Sequence, residues 1–142
     1  MADNRVVSPE FAKDEEYKGV LNTILMEGKC PFCPENFKYH KHPILFRIGE
    51  WQITRISWPY KNTRDHFLLL GDTHKEDLLA LTDNDFASVR QLAAWAITEF
   101  DLPGGALTHR FGDSLYTGAT VRHLHFHLVV PKLGKTVNFP IG

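Results

Sequence analysis

The sequence predicts an α+β domain built on a mostly antiparallel sheet. Short apolar runs bounded by turn residues dominate the chain. The first two of these runs lie close enough to form a hairpin, and one long segment repeats apolar residues at helical spacing. Strands joined by hairpins, with a long helix among their connections, mark this class.

The elements follow in order. Residues 1–14 are polar and are predicted to form a flexible N-terminal segment ahead of a single domain over 15–142. Glu15 to Gly28 places Tyr17, Val20, Leu21, Ile24 and Leu25 at helical spacing, with Gly28 as the stop. "CPFCPEN" reads as a turn, because its prolines and Asn do not continue a helix. Ile44–Arg47 and Trp51–Ser57 read as two strands, "WPYKNTRD" as a loop, and His66–Gly71 as a short buried strand. Thr82 is the expected N-cap of the long helix, with Asp83 and Asp85 where the helix dipole favours anions. Phe86, Val89, Leu92, Ala93, Ala96 and Phe100 mark its apolar face, and "DLPGG" ends it. "ALTHRF" is a strand, "GDSLYTGAT" a loop, and "VRHLHFHLVVPK" the last strand, closed by Pro131.

Bulk properties remove several function classes. The 142 residues suit one domain with a real core, and 43% hydrophobic with 23% charged residues is ordinary for a globular chain. A net charge of −1 gives no bulk attraction to nucleic acid or to a membrane surface, so neither is expected as a partner. No apolar run approaches the roughly 20 residues that span a bilayer. "MADNRVVSPEFAKDEE" has no apolar core of a secretory signal, and the expected location is the cytoplasm. The two cysteines argue against a disulfide framework.

The densest chemistry lies in "RHLHFHLVV". On a strand, side chains alternate between faces, so His123, His125 and His127 are expected on one face, roughly 6.5–7 Å apart from one to the next. Leu124, Phe126 and Leu128 would then enter the core. Imidazole can be nucleophile, acid, base, donor or metal ligand. Three cationic rings in a row would repel, so the rings are expected to be neutral unless an anion is bound. Cys30 and Cys33 have the spacing at which two thiolates reach one ion, a redox pair and a plain turn being the other readings. Further ligands could come from His40, His42, His66, His74, His109 or the triple, with His40 and His42 expected on a solvated loop.

"HLHFHLV" resembles the signature of the histidine triad family at all seven positions. "TRDHFLLLGDTHKEDLLAL" and "GATVRHLHFHLVVPK" are similar to the family's segments around that signature, and "CPFC" resembles the CxxC of its zinc-bearing branch. The resemblance spans roughly Cys30 to Lys132. It implies a five-stranded, mostly antiparallel sheet packed with one long and one shorter helix, and commonly a homodimer. It implies a hydrolase or nucleotidyl transferase acting at the α-phosphate of an adenylated purine nucleotide, such as a dinucleoside polyphosphate or a nucleoside phosphoramidate. His125 would be the nucleophile, forming a covalent nucleotidyl-histidine intermediate. His127 would donate to the phosphate oxygens, and His66 would hold the nucleophile's surroundings. Cys30, Cys33, His74 and His123 would ligate a structural zinc. For substrate binding, Gly118 would let backbone approach the phosphate, Thr120 would offer a hydroxyl, and Arg110 a fixed positive charge. The chain departs from the pattern at Ala119, where many members have Gln, and in "ITRISWPY", which lacks the acidic residue that holds the ribose hydroxyls. These departures keep two other classes open. One is a nucleotide-binding or scaffold protein with little turnover, and the other a zinc protein with a structural or redox role.

Overall fold

A computed structural model describes residues 5–142. In chain order it contains α1 (Glu15–Glu27), β1 (Ile44–Ile48), β2 (Trp51–Arg55), β3 (Thr63–Gly71), α2 (Asp83–Glu99), β4 (Ala106–His109), a four-residue helical turn α3 (Ser114–Thr117), and β5 (His125–Pro131). Short 3-10 turns lie at Pro9–Phe11, Pro34–Tyr39 and Leu78–Ala80. The five strands form one antiparallel sheet in the order β1-β2-β3-β5-β4. The α+β class and the five-stranded antiparallel sheet are therefore as expected.

Local chemistry explains the helices. Thr82 caps α2 in a capping box with Asp85, each side chain taking the other's backbone N–H. Asp14 caps α1 by accepting the Tyr17 N–H, and Gly28 ends it in the left-handed conformation at φ 71°.

The sheet has two differently used faces. Ile53, Leu69 and Phe126 stand side by side across β2, β3 and β5. They pack with Val89, Leu92, Ala93 and Ala96 of α2 to make the main core. On the other face the same register aligns Thr54, Leu68 and His127, and likewise Gln52, Leu70 and His125. A second cluster lies on that side, where Leu21 and Ile24 of α1 meet Val7 and Val121. Of the segment 1–14, residues 1–4 lie outside the described residues, while Val7 and Ser8 are fully buried.

Two strands begin elsewhere than in the sequence expectation. β3 begins at Thr63, because Thr63 and Asp65 pair with Pro131 and Val130 across a register shift. β5 begins at His125 rather than Val121. Before it, backbone groups go elsewhere: Val121 bridges Val7, Arg122 N–H donates to Val6, and Leu124 N–H donates to the Lys75 carbonyl. Strand alternation therefore starts only at His125.

Candidate active site and metal centre

His125 and His127 share the α1-facing side of β5, two residues apart, and His66 joins them from β3. Backbone groups then dictate where each proton sits. The Tyr60 N–H donates to His66 Nδ1 at 3.1 Å, so that nitrogen must carry a lone pair. Neutral His66 is thus protonated on Nε2, which donates to His127 Nδ1 at 2.8 Å. His127 in turn carries its proton on Nε2, a buried atom without a partner among the described residues. His125 is fixed the opposite way. Its Nδ1–H donates to the His123 carbonyl at 2.8 Å, leaving the lone pair on Nε2. One imidazole thus presents a nucleophilic nitrogen and its neighbour an N–H donor, and both line one cavity.

Burial keeps these rings uncharged. It pulls His66 down to about 4, with the Arg110 guanidinium adding to the effect. Burial also lowers His125 to about 3, and moves His127 well below the usual imidazole value, with His125 and His66 opposing its charge further. This matches the expectation of neutral rings.

His123 corrects the expectation of three histidines on one strand face. It stands before β5, and its ring turns to the cysteines: Nδ1 lies 3.5 Å from Cys30 Sγ and 3.6 Å from Cys33 Sγ. His74, just past β3, places Nδ1 3.5 Å from Cys33 Sγ. One donor atom from each of these four residues lies within 4.8 Å of all the others. The remaining ring nitrogens are held from behind: His123 Nε2–H donates to the Gly71 carbonyl at 2.6 Å, and His74 Nε2–H to Glu76 at 2.8 Å. Both Nδ1 lone pairs therefore face the thiols, the outer arrangement that orients imidazole ligands. Burial, followed by the neighbouring Cys30, pushes the Cys33 thiol up to about 12, and burial raises Cys30 as well. A closed two-sulfur, two-nitrogen set in such a place fits a tetrahedral zinc ion, whose charge would favour the thiolates.

The cavity holds about 710 Å³ between α1 and the histidine face, and Tyr17, Phe32, Phe37 and Trp58 supply much of its apolar wall. Arg110, Gly118 and Thr120 all line it. Each has protein partners there. The Thr120 hydroxyl lies 2.8 Å from the Tyr17 hydroxyl. Arg110 donates through Nε to the Pro140 carbonyl at 2.9 Å and through Nη2 to Tyr60 Oη at 3.1 Å, and it lies over the Phe139 ring. Gly118 caps α3 at φ 70°, and a Cβ there would come within 2.5 Å of the Gly142 carbonyl oxygen.

Sequence reasoning missed three contributors: the Tyr60 amide, Tyr17, and the segment after β5, whose Phe139 packs against His127 with ring centroids 5.2 Å apart. Tyr17 reads in the sequence as one more apolar helix position, and residues 136–142 have no periodicity at all. His40 also differs from expectation. It is half-buried, stacks on Phe37, and bonds Thr54 and Ser57, while His42 is exposed.

No protein-family model matches the sequence, and neither does any curated protein sequence. Solved structures do match. A histidine triad nucleotide-binding protein from Candida albicans aligns with a TM-score of 0.63 at 18% identity, over 80% of this chain and 82% of that one. A zinc-bound histidine triad family protein from Mycobacterium smegmatis aligns at 0.59 and 23% identity, over 80% and 83%. A histidine triad protein from Clostridium difficile aligns at 0.59 and 18% identity, over 78% and 96%. With the triad signature running into β5, this chain has the histidine triad fold.

Proposed function

We propose that the protein is a nucleotide hydrolase or nucleotidyl transferase that works through a covalent nucleotide on His125. The observation that carries this is the opposite protonation of two adjacent rings: a free lone pair on His125 Nε2 and an N–H on His127 Nε2, in one cavity. His125 Nε2 attacks the α-phosphorus of an adenylated compound. The nitrogen–phosphorus bond forms as the leaving group departs with the other bonding pair. His127 donates to the phosphoryl oxygens, whose charge grows in the transition state. Water or another acceptor then attacks phosphorus, and the bonding pair returns to His125. In hydrolysis, water gives its hydroxyl to phosphorus and its proton to the leaving group. The proton chain from the Tyr60 amide through His66 maintains the donor state of His127.

Cys30, Cys33, His74 and His123 would hold zinc as a structural brace. His123 links the two sites, since its ring faces the cysteines while its carbonyl holds the His125 ring. A homodimer and a cytoplasmic location belong to the same proposal. Among the described residues, no helix is long and apolar enough to cross a membrane.

The test is AMP release from adenosine phosphoramidate and diadenosine polyphosphates, with mass spectrometry for a nucleotidyl adduct on His125. His125→Ala should lower turnover on the order of 10³-fold or more. Equal activity of the two proteins would overturn the assignment. Binding of AMP with no turnover in either would leave a nucleotide-binding protein instead.

A further inference from the structure

We propose that Tyr17 of α1 is a positioning residue for the substrate phosphate, acting through the Thr120 hydroxyl. This rests on the nucleotide reading above and deepens it.

Tyr17 is held in place before any ligand arrives. Its backbone N–H is taken by the Asp14 cap at 3.0 Å. Its ring stacks on Trp58, with centroids 4.7 Å apart and planes 28° from parallel. Trp58 is pinned in turn, donating Nε1–H to Glu16 at 3.3 Å and lying under the Lys41 ammonium, which pairs with Glu16.

From this position the Tyr17 hydroxyl meets Thr120 Oγ1 at 2.8 Å. The two hydroxyls carry two protons, and their mutual bond uses one. Among the described residues no acceptor takes the other. A phenol is the stronger acid and the better donor of the two. Burial pushes it up to about 12, so it keeps its proton. Tyr17 therefore donates to Thr120, and the Thr120 hydrogen is left for the cavity that both residues line together with His125 and His127. Accepting one bond also makes the Thr120 hydroxyl a stronger donor. The residue before it is Ala119, which has no polar side chain. The nearby Thr117 hydroxyl accepts the Ala119 N–H at 3.2 Å, and Thr117 is not among the residues that line the cavity. The ligand group that suits the surplus hydrogen is an acceptor-only anion, a phosphate beside the two histidines.

The experiment is calorimetric titration of the full chain with AMP, adenosine and inorganic phosphate, repeated for Tyr17→Phe, Thr120→Val and the double variant. Phenylalanine keeps the ring on Trp58 and removes only the hydroxyl. Tyr17→Phe should weaken AMP and phosphate by about three- to tenfold and leave adenosine unchanged. Thr120→Val should weaken them at least as much, and Tyr17→Phe should add nothing in that background. Equal weakening of AMP and adenosine, an unchanged affinity for AMP, or an effect that persists beside Thr120→Val would each overturn the proposal. Should the native chain bind neither AMP nor adenosine, the nucleotide reading fails. The phosphate arm then decides alone: weaker phosphate binding in Tyr17→Phe upholds the positioning role, and unchanged or absent phosphate binding ends it.

Discussion

Acidification should destabilise this protein through His66, the ring that donates to His127. His66 is only 3% exposed, and burial holds it at about 4, against an ordinary value near 6.5. Between those values an unfolded chain takes up a proton at position 66 and the folded chain does not. Stability is therefore complete above about pH 6.5, falls as pH drops through this window, and loses no more from this group below about 4. The full gap of roughly 2.5 pK units corresponds to about 3 kcal/mol, of which about 2 kcal/mol is gone at pH 5. His66→Gln keeps a polar side chain at the site and removes the titration. Urea unfolding at pH 7 and pH 5 reads the difference. The native chain should lose about 2 kcal/mol more than the variant between the two pH values, a shift of about 1 M in midpoint. His127 is lowered in the same direction and remains in both chains, so its share largely cancels in the comparison. Equal losses in the two chains would refute the claim that His66 is buried as a neutral donor.

Two further outcomes are expected. The purified protein should carry about one zinc per chain by atomic emission, and Cys33→Ser or a strong chelator should remove it and lower the melting temperature, since a closed structural site contributes to folding; full occupancy in Cys33→Ser would rule out the four-residue set. Gly118→Ala should destabilise by about 1 kcal/mol or more, because it adds a Cβ at φ 70° and at 2.5 Å from the Gly142 carbonyl; faster amide exchange at Gly142, which donates to Thr117, should accompany the drop in thermal midpoint, and an unchanged midpoint would contradict the packing.

Much of this was legible because the rules involved act over a few residues. Thr82 and Asp85 lie three apart, and their capping box needs nothing beyond its own turn. His125 and His127 share a face because they stand two apart on a strand. Cys30 and Cys33 are close because a turn of that length makes them so. Spacing left their partners open among the histidines, with His74 favoured by its place just beyond a strand end, and the resemblance to the triad family gave His74 and His123 together.

The tertiary structure decided what depends on partners far away in sequence. His123 continues the alternating pattern in the sequence, yet it leaves the strand, because Val121, Arg122 and Leu124 find backbone partners near residues 6, 7 and 75. The protonation of the His66, His125 and His127 rings depends on the Tyr60 amide and the His123 carbonyl, neither of which a residue's type reveals. Tyr17 reaches Thr120 across 103 positions, and Arg110 meets Pro140 across 30. Periodicity reports which face of an element is buried. What that face meets is set by the order in which the strands assemble, and here the order β1-β2-β3-β5-β4 brings His66 beside His127 and leaves α1 to close the cavity over them.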